Sequence, residues 1–194
     1  VMSLYFDEMR RAVERHGGTV EKFIGDAVMA VFGVPKLHED DALRAVRAAQ
    51  EMSAAMRDLN EEVGAAWGVT IAARIGVNTG EVVTSEAQAD QRLVTGDAVN
   101  IAARLEQHAA AGEILLGETT YRLVRDAVVA DLVVPIAVKG KAAPLTAWRL
   151  RQVTPDASWL QRRLDAPVVC REEGLATLGD MFQQCLPAAC RLVS

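Results

Sequence analysis

The chain has 194 residues, 51% of them hydrophobic and only 5% aromatic, and its formal net charge is −5. This composition is typical of a soluble protein with mixed helices and strands and a sizeable core. The acidic balance without a basic block argues against nucleic acid as a ligand. The longest apolar run, residues 27–35, is far too short to cross a bilayer. We therefore expect no membrane segment and a cytoplasmic location.

The first predicted elements are a helix and a β-hairpin. Residues 1–16 carry apolar side chains at helical spacing, and the pair Gly17-Gly18 ends the pattern. No N-cap residue or turn precedes this helix, so we expect the sequence to begin inside it. Two runs rich in β-formers then flank Gly25-Asp26, a pair typical of a hairpin turn.

The hairpin combines apolar strands with two charged residues. Residues 27–32 are all apolar, which predicts a strand covered on both faces in the middle of a sheet. On the other strand Lys22 should share a face with Val20 and Ile24, so its ammonium needs a partner. In one interpretation Asp26 only favours the turn and Lys22 extends to water. In the other, the turn forms a metal or phosphate site.

The middle of the chain predicts a long helix and two strands. Acidic residues 39–41 precede an apolar stripe at helical spacing that ends at Gly64, and they place negative charge at the helix N-terminus. Alternation over residues 69–77 predicts a strand, followed by a short strand near residues 82–83. The polar residues 85–91 predict a loop.

The next predicted helix places two polar residues on one face. Residues 92–95 are compatible with a short strand, and Asp97 is a good N-cap for the helix that follows. Asn100 and Arg104 are four residues apart on this helix and therefore lie on the same side. The remaining predicted elements are strands 114–116, 128–134, 136–139 and 145–150, and a short helix 119–126.

Three segments together resemble the class III nucleotidyl cyclases in sequence, order and separation. They are residues 22–26 (KFIGD), 74–80 (RIGVNTG) and 95–104 (TGDAVNIAAR). The resemblance implies an α/β (α+β) fold of the ferredoxin-like type, in which helices pack on an antiparallel-rich sheet. It also implies that the first strand of the family's sheet is missing from this sequence. Two protomers of the family pair head to tail.

The resemblance implies a reaction as well. The ribose 3′-hydroxyl of ATP or GTP attacks the α-phosphate, which forms a cyclic nucleotide and releases pyrophosphate. Two divalent metals, Mg²⁺ or Mn²⁺, are held by two aspartates and serve this transfer. Asp26 matches the second of these aspartates. The first has no counterpart in this sequence, so we expect little or no cyclic nucleotide from this chain alone.

The substrate contacts are likewise implied by the resemblance. Asn100 matches the residue that orients the ribose, and Arg104 the one that stabilises charge at the α-phosphate. Lys22 and Leu93 match the positions that select the purine, and a leucine cannot hydrogen-bond the base, which blurs ATP against GTP. Lys139 matches a triphosphate-binding lysine, although a simple turn lysine remains an open interpretation. Asp26 and the other residues serve opposite sites, so each site of the homodimer is shared.

The sequence also predicts a division into domains. We expect a cyclase domain over residues 1–152, a linker over 153–168 and the start of a second domain over 169–194. Residues 169–178 are similar to the segment before the phosphate-binding loop of ATPase domains that are often fused to bacterial cyclase domains. Two functional hypotheses remain: an adenylate cyclase-type enzyme of intracellular signalling, or a non-catalytic dimerisation or nucleotide-sensing module of a signalling or transcriptional regulator.

Overall fold

The computed structural model describes residues 2–87, 91–133, 135–136 and 144–155, without the side chains of 85–93. The helices are α1 (Met2–Arg15), α2 (Asp41–Trp67), α3 (Asp97–His108) and α4 (Glu118–Val124), with a 3₁₀ turn over Arg125–Ala127. The strands are β1 (Thr19–Ile24), β2 (Ala27–Val31), β3 (Ile75–Val77), β4 (Val83–Ala87), β5 (Gln91–Thr95), β6 (Ile114–Gly117), β7 (Val128–Leu132) and β8 (Ala147–Val153).

The described strands form one larger sheet and two hairpins. The larger sheet has the order β3-β6-β8-β7, with β3 and β6 parallel and the other neighbours antiparallel. The pairs β1-β2 and β4-β5 are antiparallel hairpins. This mixture of helices with largely antiparallel strands confirms the predicted α+β class.

Three apolar clusters hold these elements together. The largest lies between α2, α4 and the four-stranded sheet and includes Val46 and Leu116. A second joins α3 to β6 and β8 through Leu105 and Leu115. A third lies between α1 and α2 around Met9, and half-buried side chains of β2 and of the chain before β3 pack against it. Helix α2 therefore contacts both the sheet and the first hairpin region.

Strand β2 differs from the central strand that its sequence predicts. Within the described residues it pairs with β1 alone, and each of its side chains is half-buried or exposed. Val28 packs instead against the cluster that α1 and α2 form. An apolar run indicates burial, but it does not report whether a helix or another strand provides the cover.

The strand predicted over residues 69–77 is shorter in the structure. Only Ile75–Val77 form a ladder, and residues 69–74 have no regular structure. Asn60 of α2 pairs with the backbone of this segment at Ile71, because its Nδ2 donates to the carbonyl of Ile71 and its Oδ1 accepts from the Ile71 N–H, both at 2.7 Å. A side-chain amide thus satisfies the two backbone groups that a neighbouring strand would otherwise pair.

Two further predictions from polarity and glycine are corrected. Of the loop predicted over residues 85–91, the described residues 85–87 and 91 are strand, because β4 and β5 pair from Val83–Thr95 to Ala87–Gln91. Polarity reports exposure and not backbone pairing. Helix α2 continues past Gly64 and ends before Gly68, whose φ of 65° is the left-handed conformation that ends helices.

Some predictions fall on residues that the structure does not describe. Lys139, nearly all of the linker 153–168 and the second domain 169–194 lie outside the described ranges. Of the strand predicted over 136–139, the structure describes only Ile136, which forms a bridge with Leu145. No helix in the described ranges is long and apolar enough to span a membrane.

Candidate functional site

The first part of the candidate site is the turn between β1 and β2. Gly25 has a φ of +64°, and a Cβ there would meet nothing within 4 Å, so the turn uses glycine for its conformation and not for space. Asp26 follows at the hairpin tip and is exposed. Within the described residues its carboxylate makes no hydrogen bond or ion pair. The carboxylate is therefore open to a ligand.

Helix α1 packs against the hairpin that carries this turn. Burial raises the pKa of the Tyr5 phenol above its ordinary value, and the negative charge of Asp26 raises that pKa further. The Tyr5 ring contacts Phe6, which in turn contacts Phe23 of β1 at 4.6 Å between ring centroids. Sequence analysis missed this neighbour of Asp26, since helical spacing alone does not report which turn a helix faces.

The acidic side chains do not complete a metal centre. No group of three or more histidine, cysteine, aspartate or glutamate side chains is placed to hold an ion in the described part of the chain. Magnesium requires a near-octahedral oxygen shell, of which Asp26 supplies one carboxylate. These residues by themselves therefore do not fit the two-metal site that the resemblance implies.

Lys22 has a partner that the sequence analysis missed. Its Nζ lies 3.2 Å from Oε1 and 3.1 Å from Oε2 of Glu21. The hairpin register shifts here, so that Val20 faces Ala30 while Lys22 faces Met29. Directly paired residues lie on one face, so the shift puts Val20 and Lys22 on opposite faces. The prediction that these two share a face was therefore wrong.

Glu21 also connects the hairpin to β5. The backbone N–H of Val94 donates to Glu21 Oε1 at 3.4 Å. Leu93 precedes Val94, and its backbone pairs with Ser85 in the β4–β5 ladder. The resemblance assigns Lys22 and Leu93 to purine selection. Each of them is adjacent in sequence to one partner of the hydrogen bond between Glu21 and Val94.

The second part of the candidate site is α3, which begins directly after β5. Asp97 was predicted to be the N-cap of α3, but Gly96 holds that position and Asp97 is the first helical residue. Gly96 has a φ of +150°, and a Cβ there would lie 2.9 Å from the carbonyl oxygen of Glu81. Both conformation and space therefore require glycine at this strand-to-helix junction.

Helix α3 lies directly against β3. A Cβ at Gly76 would be 2.2 Å from the carbonyl oxygen of Ala102 and 2.6 Å from the amide nitrogen of Glu106. The amide of Asn78 donates to the carbonyl of Ala98, in the first turn of the helix, at 3.1 Å. Contact between the backbones and this hydrogen bond together fix the position of α3 on the sheet.

Asn100 and Arg104 lie on this fixed helix. Asn100 is exposed and Arg104 is half-buried. Neither side chain makes a hydrogen bond or ion pair with any described residue, and none joins them to Asp26. The structure therefore places Asn100 and Arg104 on one helix, and separately joins Glu21, the partner of Lys22, to β5.

Comparison with known proteins decides the family. A family model described as the adenylate and guanylate cyclase catalytic domain matches residues 1–152. The chain belongs to this family. The crystal structure of the adenylyl cyclase CyaB from P. aeruginosa is similar at a TM-score of 0.75 and 32% identity, covering 81% of this chain and 83% of that one. The guanylyl cyclase Cya2 gives 0.74 and 32%, covering 81% of each chain.

Curated cyclases show the same relationship over part of their length. An adenylate cyclase of Mycobacterium tuberculosis is 32% identical over 78% of this chain and 33% of that protein. Adenylate cyclase 1 of Rhizobium meliloti is 33% identical over 55% of this chain and 16% of that protein. The chain thus spans a third or less of the length of these curated relatives.

These matches confirm the resemblance found in the sequence. The chain is an adenylate or guanylate cyclase-type domain with the α+β fold of that family. Catalytic domains of the family generally use divalent metals. Related structures include a guanylate cyclase domain from Catenaria anguillulae in complex with GTP, at 26% identity and a TM-score of 0.68. A guanylyl cyclase domain from Blastocladiella emersonii is dimeric, at 25% identity and a TM-score of 0.67.

Proposed function

We propose that this chain binds ATP as an adenylate cyclase-type domain and forms cyclic AMP and pyrophosphate in intracellular signalling. The observation that carries the proposal is the arrangement on α3. Asn100 and Arg104 present an amide and a guanidinium on one side of a helix whose position the sheet fixes. Both side chains are without a partner in the described part of the chain, so both are available to a polar ligand.

Each residue takes the role that its chemistry suits. The guanidinium of Arg104 is permanently charged and donates in a planar fork, which fits the oxygens of a phosphate that gains charge. Asn100 offers a donor and an acceptor, which suits the hydroxyls of a ribose. Lys22 contacts the purine beside Leu93. Because leucine cannot hydrogen-bond the base, the pair discriminates weakly between purines and allows GTP as a second substrate. Lys139 contributes charge to the triphosphate.

We propose that the active unit is a homodimer with shared sites. In one protomer the carboxylate of Asp26 and the guanidinium of Arg104 are joined by no hydrogen bond or ion pair among the described residues. In this homodimer an Asp26 from one chain and an Arg104 from the other serve one substrate, as the family resemblance implies. Asp26 is the one carboxylate assigned to Mg²⁺ or Mn²⁺ binding, so we propose that this chain alone turns over slowly.

The test measures ATP binding and product formation separately. Calorimetry of the purified chain should give saturable ATP binding, and Arg104→Ala should weaken it by about tenfold or more, as expected for a lost charged hydrogen bond. Arg122→Ala is the control, because Arg122 is also a helical arginine but is exposed and lies on α4. Equal affinity in Arg104→Ala and the unchanged chain would contradict the proposal.

Product analysis with manganese distinguishes the two functional hypotheses. Slow cyclic AMP formation that disappears in Arg104→Ala supports the enzyme. ATP binding without any product supports the nucleotide-sensing module. Rapid cyclic AMP formation that is lost in Asp26→Ala would show that one aspartate suffices, and would overturn the proposal of slow turnover.

A further inference from the structure

Glu21 is a buried acid that none of the proposed roles uses. Its side chain is only 6% exposed. Its Oε2 is shielded from solvent and accepts no hydrogen bond, although Lys22 Nζ lies 3.1 Å away. Burying a carboxylate is costly unless charge and hydrogen bonds compensate it. The carboxylate therefore holds its place through the two groups near Oε1.

Those two groups come from different elements. Lys22 Nζ belongs to the same hairpin strand and lies 3.2 Å from Oε1, and the Val94 N–H belongs to β5 and lies 3.4 Å from it. Glu21 lies at the register shift between Val20 and Lys22, and its carboxylate reaches the backbone of β5. One carboxylate oxygen thus joins the ammonium of Lys22 to the backbone next to Leu93.

We propose that Glu21 is a positioning residue that orients Lys22 towards the purine. The inference rests on the proposed function, in which Lys22 contacts the base. An ammonium has three donors, and the contact with Glu21 uses one of them. Because the side chain of Lys22 is 37% exposed, its other donors can reach a ligand.

The identity of residue 93 makes this orientation important. Leucine offers no hydrogen bond to a base, so Lys22 is the polar contact that remains of the pair. A lysine without a fixed partner samples many rotamers, and a ligand must then order that side chain on binding. Glu21 removes part of that cost before the nucleotide arrives, and it does so without touching the nucleotide itself.

A double-mutant cycle tests the role directly. ATP and inorganic triphosphate are titrated by calorimetry into the 194-residue chain and into Glu21→Gln, Lys22→Met and the double variant. We expect Glu21→Gln to weaken ATP binding by about fivefold, and by less than about twofold once Lys22 is already Met. Affinity for inorganic triphosphate, which has no base, should be the same in all four proteins.

Three results would overturn the inference. Equal weakening of ATP by Glu21→Gln in both backgrounds would show that Glu21 does not act through Lys22. If Glu21→Gln weakened triphosphate binding as much as ATP binding, the effect would be a general structural one. Unchanged ATP binding in Glu21→Gln would show that Glu21 has no role in binding. If Glu21→Gln does not fold, Glu21→Asp replaces it, since the shorter carboxylate keeps the charge but withdraws from Lys22, and the same coupling is expected.

The cycle also separates this inference from the proposed function. Arg104→Ala is measured beside it with the same two ligands. If Arg104→Ala binds both ligands as the unchanged chain does, or the chain binds neither, the proposed function fails and this inference fails with it. If Arg104→Ala weakens both ligands while the cycle shows no coupling, only the role of Glu21 is overturned.

Discussion

The two parts of the candidate site rest on very different supports. Helix α3 lies on a four-stranded sheet, and the side chains around Leu105 and Leu115 are almost fully buried. The β1–β2 hairpin has no strand neighbour among the described residues beyond its own pair, and Ile24 at its end is 58% exposed. Two-stranded hairpins are marginal without packing from another element.

The difference in packing between α3 and the hairpin predicts which site residues move more. In the proposed function Arg104 meets a phosphate at a defined place, and it lies on the helix that the sheet supports. Lys22 and Asp26 lie on the hairpin, which packs on α1 and α2 through Val28 and is joined to β5 by the hydrogen bond between Glu21 and Val94. Local opening should therefore require less free energy in the hairpin than in α3. Substitutions that act on one support and not the other can test this comparison.

The largest effect is expected where the α3 support has no space. Gly76→Ala would place a Cβ 2.2 Å from the carbonyl oxygen of Ala102, so strand and helix must separate. We expect the free energy of unfolding to fall by about 3 kcal/mol, as for severe overpacking. Urea unfolding followed by circular dichroism measures this change.

Gly25→Ala is the matched control in the hairpin. A Cβ there meets nothing within 4 Å, and only the left-handed φ of +64° is unfavourable. The expected loss is about 1 kcal/mol, the conformational cost alone. A loss at Gly25 as large as that at Gly76 would contradict the contrast between a spatial and a conformational requirement.

A smaller effect is expected at the edge of the four-stranded sheet. Asn60→Ala removes both hydrogen bonds that its amide makes with the backbone of Ile71. The part-buried backbone groups then lose their partners, so we expect a loss of about 2 kcal/mol. Hydrogen exchange should show faster exchange of the Ile71 amide.

Asn60→Asp provides a graded comparison at the same position. The carboxylate can still accept from the Ile71 N–H, but it cannot donate to the Ile71 carbonyl. We expect the Ile71 amide to keep most of its protection, with a stability loss between those of the unchanged chain and Asn60→Ala. Equal exchange rates in all three proteins would mean that Asn60 does not hold the segment before β3.

Sequence patterns predicted the parts of this molecule that depend on local periodicity. The Gly25-Asp26 turn and the helix with Asn100 and Arg104 on one side both follow from residue pattern within one element, whereas the α+β class came from the resemblance. The resemblance to cyclases added the roles, and the comparisons confirmed the family.

What the sequence did not predict are contacts between elements. The contact of Glu21 with Lys22 lies at a register shift. The amide of Asn60 pairs with the backbone of Ile71, where the alternating sequence predicted a strand partner. The contact of Gly76 with α3 depends on how a helix lies on a sheet. Periodicity reports which face of an element is buried, but it does not identify the atoms that cover that face.

The smallest expected effect concerns the placement of the hairpin tip against α1. Burial raises the pKa of Tyr5 above its ordinary value of 10.0, and the charge of Asp26 raises it further. The folded state therefore holds the phenol proton more tightly than the unfolded state. The resulting contribution to stability is complete below pH 10.0 and is lost as the pH rises through the folded pKa.

Asp26→Asn should lower the Tyr5 pKa only part of the way, because burial remains. Absorbance titration of the phenolate in a Tyr121→Phe background isolates Tyr5, the second of two tyrosines being removed. Added salt should lower the Tyr5 pKa in the parent protein and leave Asp26→Asn nearly unchanged, since screening acts on the exposed carboxylate. An identical Tyr5 titration in both proteins would show that Asp26 does not lie near Tyr5. The hairpin tip would then not be placed against α1.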